Sequence, residues 1–241
     1  MEWKIGCSGY HYPEWKRVFY PDDVPQRKWF DYYCGHFNTL ELNVTYYKFP
    51  RLEFLKRWYE RSPPGFAFTV KAPRHITHFK KLQDARQMLD DFNGTAKQGL
   101  GSKLGCVLFQ FPSNFHYEAA KLARITEMMD PSLKNVVEFR HESWWNGEVF
   151  AALASSGIIF CGMSHPSLPD VAVTTGQTLY YRFHGTPHLY NSLYEIQKLE
   201  HAVQQISSGG ASEAFIYFNN TASGHAITNA KQLQDICELV H

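Results

Sequence analysis

The chain has 241 residues, 44% hydrophobic and 20% charged, with 12 Pro and 16 Gly, which excludes a low-complexity or disordered polymer and leaves enough apolar material for one substantial core. Its 24 Lys and Arg against 23 Asp and Glu leave a net +1, and no run of five like charges occurs. A chain coated uniformly in positive charge for nucleic acid is thereby excluded, while a local basic pocket is not.

The opening MEWKIGCSGYHYPEW has no basic stretch followed by an apolar one, and no segment approaches the roughly 18 uninterrupted apolar residues of a membrane span, so the expectation is a soluble cytoplasmic protein. Cys7, Cys34, Cys106, Cys161 and Cys237 are widely scattered and form no CxxC. Three of them sit inside apolar runs and read as small buried side chains rather than ligands, and the odd, scattered count fits a reducing compartment better than a disulfide frame.

Eight short β-branched and aromatic runs follow one another: 4–8, 39–43, 66–72, 106–111, 135–140, 157–163, 179–185 and 214–220. Between them lie segments whose apolar residues recur at three and four, near 26–36, 51–61, 84–97, 117–130, 147–156, 192–207 and 225–240. Alternating strand and helix units of about 30 residues predict an α/β fold, a TIM-type (β/α)8 barrel forming a single domain over 1–241. An open doubly wound sheet is the rival, but the first turn, GCSGYHYPEW, is no GxGxxG fingerprint. Residues 164–178, SHPSLPDVAVTTGQT, show no helical period, so the sixth helix is expected to be missing or degenerate.

Alternate residues of a barrel strand face the lumen. That places Glu41 and Asn43 inward from the second strand, Thr69 and Lys71 from the third and Gln110 from the fourth. The fifth contributes Glu138 and Arg140, the seventh Arg182 and His184, and the eighth Asn219. All lie toward the C-terminal strand ends, where barrel active sites are built. A structural ring would pair Glu138 with Arg182 and Glu41 with Lys71. Against it stands the imbalance of two carboxylates and three cations, which favours an anionic or richly hydroxylated guest.

Two further signals agree. The last strand runs into FNNTASGHAITNA, where Asn219, Asn220, Thr221 and Ser223 precede a helix start suited either to an anion or to ordinary capping. An aromatic collar of Tyr10, Tyr12, Trp15, Tyr46, Tyr47, Trp144, Trp145 and Tyr190 follows the strands; such rings stack on sugars or bases, and equally fill cores. No GxSxG, GxxxxGKS/T or HExxH occurs. The pairs His75/His78 and His184/His188 fall on loops and read as surface histidines. A divalent ion held by Glu41, Glu138 and His184 is the one metal arrangement the strand pattern offers, and no motif names a cofactor.

Together these residues make a family likeness. The chain resembles the domain of unknown function 72, or YecE-like, family through GCSGYHYPEW (6–15), FNTLELNVTYYKFP (37–50), FTVKAPRHITH (68–78), LFQFP (108–112), VEFRHESWW (137–145), YYRFHG (180–185), YFNN (217–220) and ITNA (227–230). The resemblance implies a TIM barrel with a polar pocket at the strand ends, without an established reaction. It carries over Ser8, Tyr10, Glu41, Asn43, Tyr46, Lys71, Gln110, Glu138, Arg140, His141, Arg182, His184, Asn219 and Asn220 as pocket residues. The chain departs from it after the sixth strand, where Gly162, Met163 and Ser164 replace an acidic residue.

The expected activity is acid/base chemistry on a small phosphorylated or polyhydroxylated substrate, with hydrolase, lyase and isomerase left open. Lys71, Arg140 and Arg182 would orient the anion. Glu138 or Glu41 would move protons, Glu138 being preferred, with His184 as partner. A nucleotide- or nucleic-acid-binding module without catalysis is the alternative, disfavoured by the near-neutral total charge.

Overall fold

The computed structural model describes residues 1–239. Its strands are β1 (Glu2–Ser8), β2 (Thr39–Leu42), β3 (Ala67–Lys71), β4 (Leu104–Phe111), β5 (Asn135–Phe139), β6 (Ile159–Ser164), β7 (Thr178–Phe183) and β8 (Glu213–Phe218). They close a barrel in sequence order, so the (β/α)8 expectation holds. The helices are α1 (Trp29–Cys34), α2 (Val44–Tyr47), α3 (Leu52–Arg61), α4 (Arg86–Leu100), α5 (Ala119–Met128), α6 (Gly147–Ser155), α7 (Ile196–Ser208) and α8 (His225–Leu239). No helix joins β6 to β7. The single turn α2 and a π-type turn over His75–Phe79 are additions that no periodicity announces.

Contacts along the chain divide into two compact units, Met1–Glu41 with the chain from Gly162 onward, and Leu42–Cys161. In the first, β1 pairs with β2 in the register Ser8↔Glu41 and with β8 in the register Gly6↔Tyr217. Gly6 is required there, since a methyl group on it would lie 2.2 Å from the Thr39 carbonyl oxygen. The connection after β6 folds back as a short antiparallel bridge, Met163↔Val171. Asp170 anchors it, accepting hydrogen bonds from Ser164 Oγ (2.8 Å) and Tyr181 Oη and pairing with Lys198 of α7 at 2.7 Å. Gln205 of α7 accepts from the Ala172 amide at 3.2 Å.

In the second unit, β3, β4, β5 and β6 pair in parallel, with Gln110↔Glu138 and Val137↔Phe160 in register. The β3–β4 register slips between Phe68 and Thr69. Without that bulge Val70 would stand opposite Cys106; with it Thr69 does, which turns Lys71 to the face that carries Gln110. The outer faces are apolar: Trp144, wholly buried, stacks on Phe139 at 4.0 Å and on Phe115 at 5.3 Å.

Candidate functional site

In the second unit, three adjacent strands end in one chain of contacts. Lys71 Nζ donates to Gln110 Oε1 at 2.6 Å, and Gln110 is the register partner of Glu138. The Arg140 Nε–H donates to Glu138 Oε1, and the Cys161 thiol lies 3.9 Å from Oε2. Glu138 is fully buried, whereas the Arg140 side chain keeps 11% of its exposure, so the pair reaches solvent through its cation. Tyr46 covers Lys71, with Nζ 4.6 Å from the ring centroid, and meets the His78 ring edge-on at 5.2 Å. Thr45 Oγ1 fixes the strand end beneath by donating to the Lys71 carbonyl at 2.6 Å.

His78 shows what this environment does to charge. Burial, and after it the Lys71 ammonium, push its imidazole down to about 4, with Arg140 adding to the fall and Glu138 opposing it. Read from the sequence as a surface residue, it is half-buried and neutral near pH 7. Between pH 6.5 and about 4 the unfolded chain binds a proton here that the native chain refuses. Native stability therefore falls as pH is lowered through that window, and this ring contributes no such slope above it. The expected result is a His78 resonance titrating near pH 4 in an NMR experiment, with His78→Gln flattening the acid limb of the stability curve; titration near 6.5 would contradict the arrangement.

His141 stacks on His116 at 3.9 Å, and its Nδ1 accepts from the Ser143 amide at 3.2 Å, capping the turn Glu142–Trp144. Asn43 sits half-buried at the end of β2, its Oδ1 without a hydrogen-bond partner in the structure.

The first unit holds a second polar group. Glu41 is fully buried, accepting from Tyr180 Oη at 2.6 Å and from Arg182 Nη2 at 2.5 Å. Arg182 also reaches Ser8 Oγ at 3.3 Å. Arg182, expected beside Glu138, is thus held by Glu41, and Glu138 is held by Arg140. His184, fully buried, has Nδ1 3.1 Å from Asn219 Nδ2; an amide there donates, which leaves the ring proton on Nε2. Asn220 is drawn inside: its Nδ2 donates to the Ser192 carbonyl at 2.8 Å and to Asn229 Oδ1 at 3.0 Å, bracing the start of α8. Tyr10 packs at 5.3 Å on Phe30, and its carbonyl accepts from Tyr20 Oη at 2.5 Å.

The collar separates into three kinds of residue. Trp15 and Trp144 are core, Tyr47 and Tyr190 are exposed, and Tyr10, Tyr12, Tyr46 and Trp145 lie between.

A model of the family described as "Protein of unknown function DUF72" matches residues 4–241. The chain belongs to the DUF72 family. The UPF0759 protein YunF of Bacillus subtilis is 25% identical to it, the match covering 91% of this chain and 90% of YunF. YecE of Escherichia coli K12 is 27% identical over 58% of the chain and 49% of its own length. The crystal structure of a DUF72 family protein from Thermotoga maritima superposes with a TM-score of 0.88 at 29% identity, covering 99% of this chain and 100% of that one.

Three DUF72 residues in these clusters escaped the sequence reading. Tyr180 and Cys161 share strand faces with Arg182 and the inward side of β6, so strict alternation carries a signal for both. Asp170 lies in a segment without period and carries none. Among the described residues, no group of three or more His, Cys, Asp and Glu side chains is placed to hold a metal ion, the Glu41, Glu138 and His184 trio included. No helix among them is long and apolar enough to cross a membrane.

Proposed function

We propose that this protein is an enzyme acting on a small phosphorylated or polyhydroxylated molecule at the ends of β3, β4 and β5. The observation that carries this reading is the charge balance of one cluster: Lys71 and Arg140 against the single carboxylate Glu138, with His78 pushed down by burial and by Lys71. An anion placed there gains attraction that a neutral sugar does not. Lys71 and Arg140 hold the anion, Gln110 sets the Lys71 ammonium, and Tyr46 closes over it. Glu138 moves the proton. A thiol 3.9 Å away is a weak competitor for its second oxygen. Glu41, whose two oxygens accept from Tyr180 and Arg182, holds the frame instead.

The experiment is thermal denaturation in inorganic phosphate, glucose 6-phosphate and glucose. At a hundredfold excess over Kd a bound anion adds about 2.7 kcal/mol, or roughly 5–10 °C for a chain of this size. Glucose is expected to do less than either phosphate. Lys71→Met abolishes the shift, whereas Glu138→Gln keeps it and, on a substrate that is turned over, lowers the rate by about 100-fold or more. Equal response to charged and neutral sugars, or a shift that survives Lys71→Met, would sink the reading.

A further inference from the structure

The near-neutral total conceals an uneven distribution. Residues 42–161 hold 16 Lys and Arg against 11 Asp and Glu, a net +5, and the rest of the chain holds 8 against 12, a net −4. The excess is densest over residues 44–81, which carry nine Lys and Arg and two Glu. This stretch runs from α2 through α3 and β3 to the turn after β3. Elsewhere several surface cations pair with carboxylates: Arg17 with Asp22, Lys97 with Asp130, Lys121 with Glu118. Among the described residues, Lys48, Arg51, Lys56, Arg57 and Arg74 have no carboxylate within 4.0 Å, and all five are exposed.

Large rings are interleaved with these cations. Tyr47 is 67% exposed, Phe79 63%, Phe54 48% and Phe49 44%. They frame two cavities that share Phe49. One, of about 390 Å³, is lined by Tyr46, Tyr47, Phe49 and Phe79 with Arg74; the other, of about 310 Å³, by Phe49, Phe54 and Trp58 with Lys48 and Arg51. The guanidinium groups lie over rings, Arg51 and Arg57 at 6.0 and 5.9 Å from Phe54 and Arg74 at 5.5 Å from Phe79.

We propose that the face built by α2, α3 and the turn after β3 is a binding track for single-stranded nucleic acid, with bases entering the two ring-lined cavities and phosphates meeting the unpaired cations. Charge complementarity calls for a polyanion. Successive aromatic cavities call for one whose charged backbone carries planar groups at short intervals, which an acidic peptide lacks. A duplex keeps its bases stacked on one another and out of reach. The track touches the Lys71–Glu138 cluster only through Tyr46, which lines one cavity and covers Lys71, and it does not depend on the chemistry of that cluster.

Fluorescence anisotropy of the full chain with a labelled dT12 or rU12 at two salt concentrations tests it. The expected slope of log K against log salt is about −0.7 per phosphate contacted. Arg51→Ala or Arg74→Ala makes it shallower by about that amount. Tyr47→Ala and Phe79→Ala, both at exposed positions that leave folding intact, weaken binding about 5- to 150-fold, the range of one lost base stack. The proposal is overturned if the oligonucleotides do not bind at low salt, or if a duplex of equal length binds as tightly. It is also overturned if polyglutamate competes as well as dT12 while the Tyr47 and Phe79 variants bind unchanged, which would mark an acidic-protein surface instead.

Discussion

Arg182→Met is expected to lower stability by about 3–5 kcal/mol, because it leaves the Glu41 carboxyl group in the interior with one tyrosine hydroxyl and no guanidinium partner. Glu41 is wholly buried and Arg182 is 1% exposed, so water cannot stand in for the lost partner. For a domain of this length the melting temperature falls by roughly 6–20 °C. The double variant Glu41→Leu/Arg182→Met is expected to recover most of the loss, since removing both charges removes both desolvation costs. Calorimetry of the two single variants and the double closes the cycle. If the single loss is below 1 kcal/mol, or the double variant is no better than Arg182→Met, the Glu41–Arg182 pair does not hold the frame.

Trp144→Ala is expected to cost a comparable about 3–5 kcal/mol in urea denaturation, as for other fully buried large aromatic residues. Its indole lies parallel to Phe139 at 2° and to Phe115 at 9°, and its Nε1–H donates to the Phe115 carbonyl at 2.6 Å. Truncation opens a void and leaves that carbonyl without its donor. Phe139 sits between Glu138 and Arg140 in sequence, so loosening its outer face loosens the aim of both inner side chains. The stabilisation by inorganic phosphate is therefore expected to weaken along with the fold. A loss under 1 kcal/mol with an intact phosphate response would show that the stack does not position β5.

The strands were legible because alternation and β-branched runs are local properties, and all eight appear within a few residues of where the sequence puts them. Ion-pair partners were not legible in the same way. That Glu41 takes Arg182 depends on the register carried from β7 through β8 and β1 to β2, which no single strand encodes. The inward turn of Lys71 was read correctly, yet it rests on a bulge at Phe68–Thr69 that alternation alone does not reveal. His78 was misjudged because its burial comes from a π-type turn with no periodic signature. The basic stretch at 44–81 was open to inspection; a whole-chain count averaged it away against the acidic residues elsewhere.

The tether after β6 has a consequence for how this barrel can change over evolutionary time. A helix covering a strand can gain or lose residues only in steps that keep its apolar stripe pointed inward. The segment between Ser164 and Asp170 has no such stripe, being held at its ends by a carboxylate knot and by Met163↔Val171. Single residues can be added or removed at 165–169 without rotating any apolar face out of place. That rim of the barrel is the place where the chain can be re-lengthened one residue at a time.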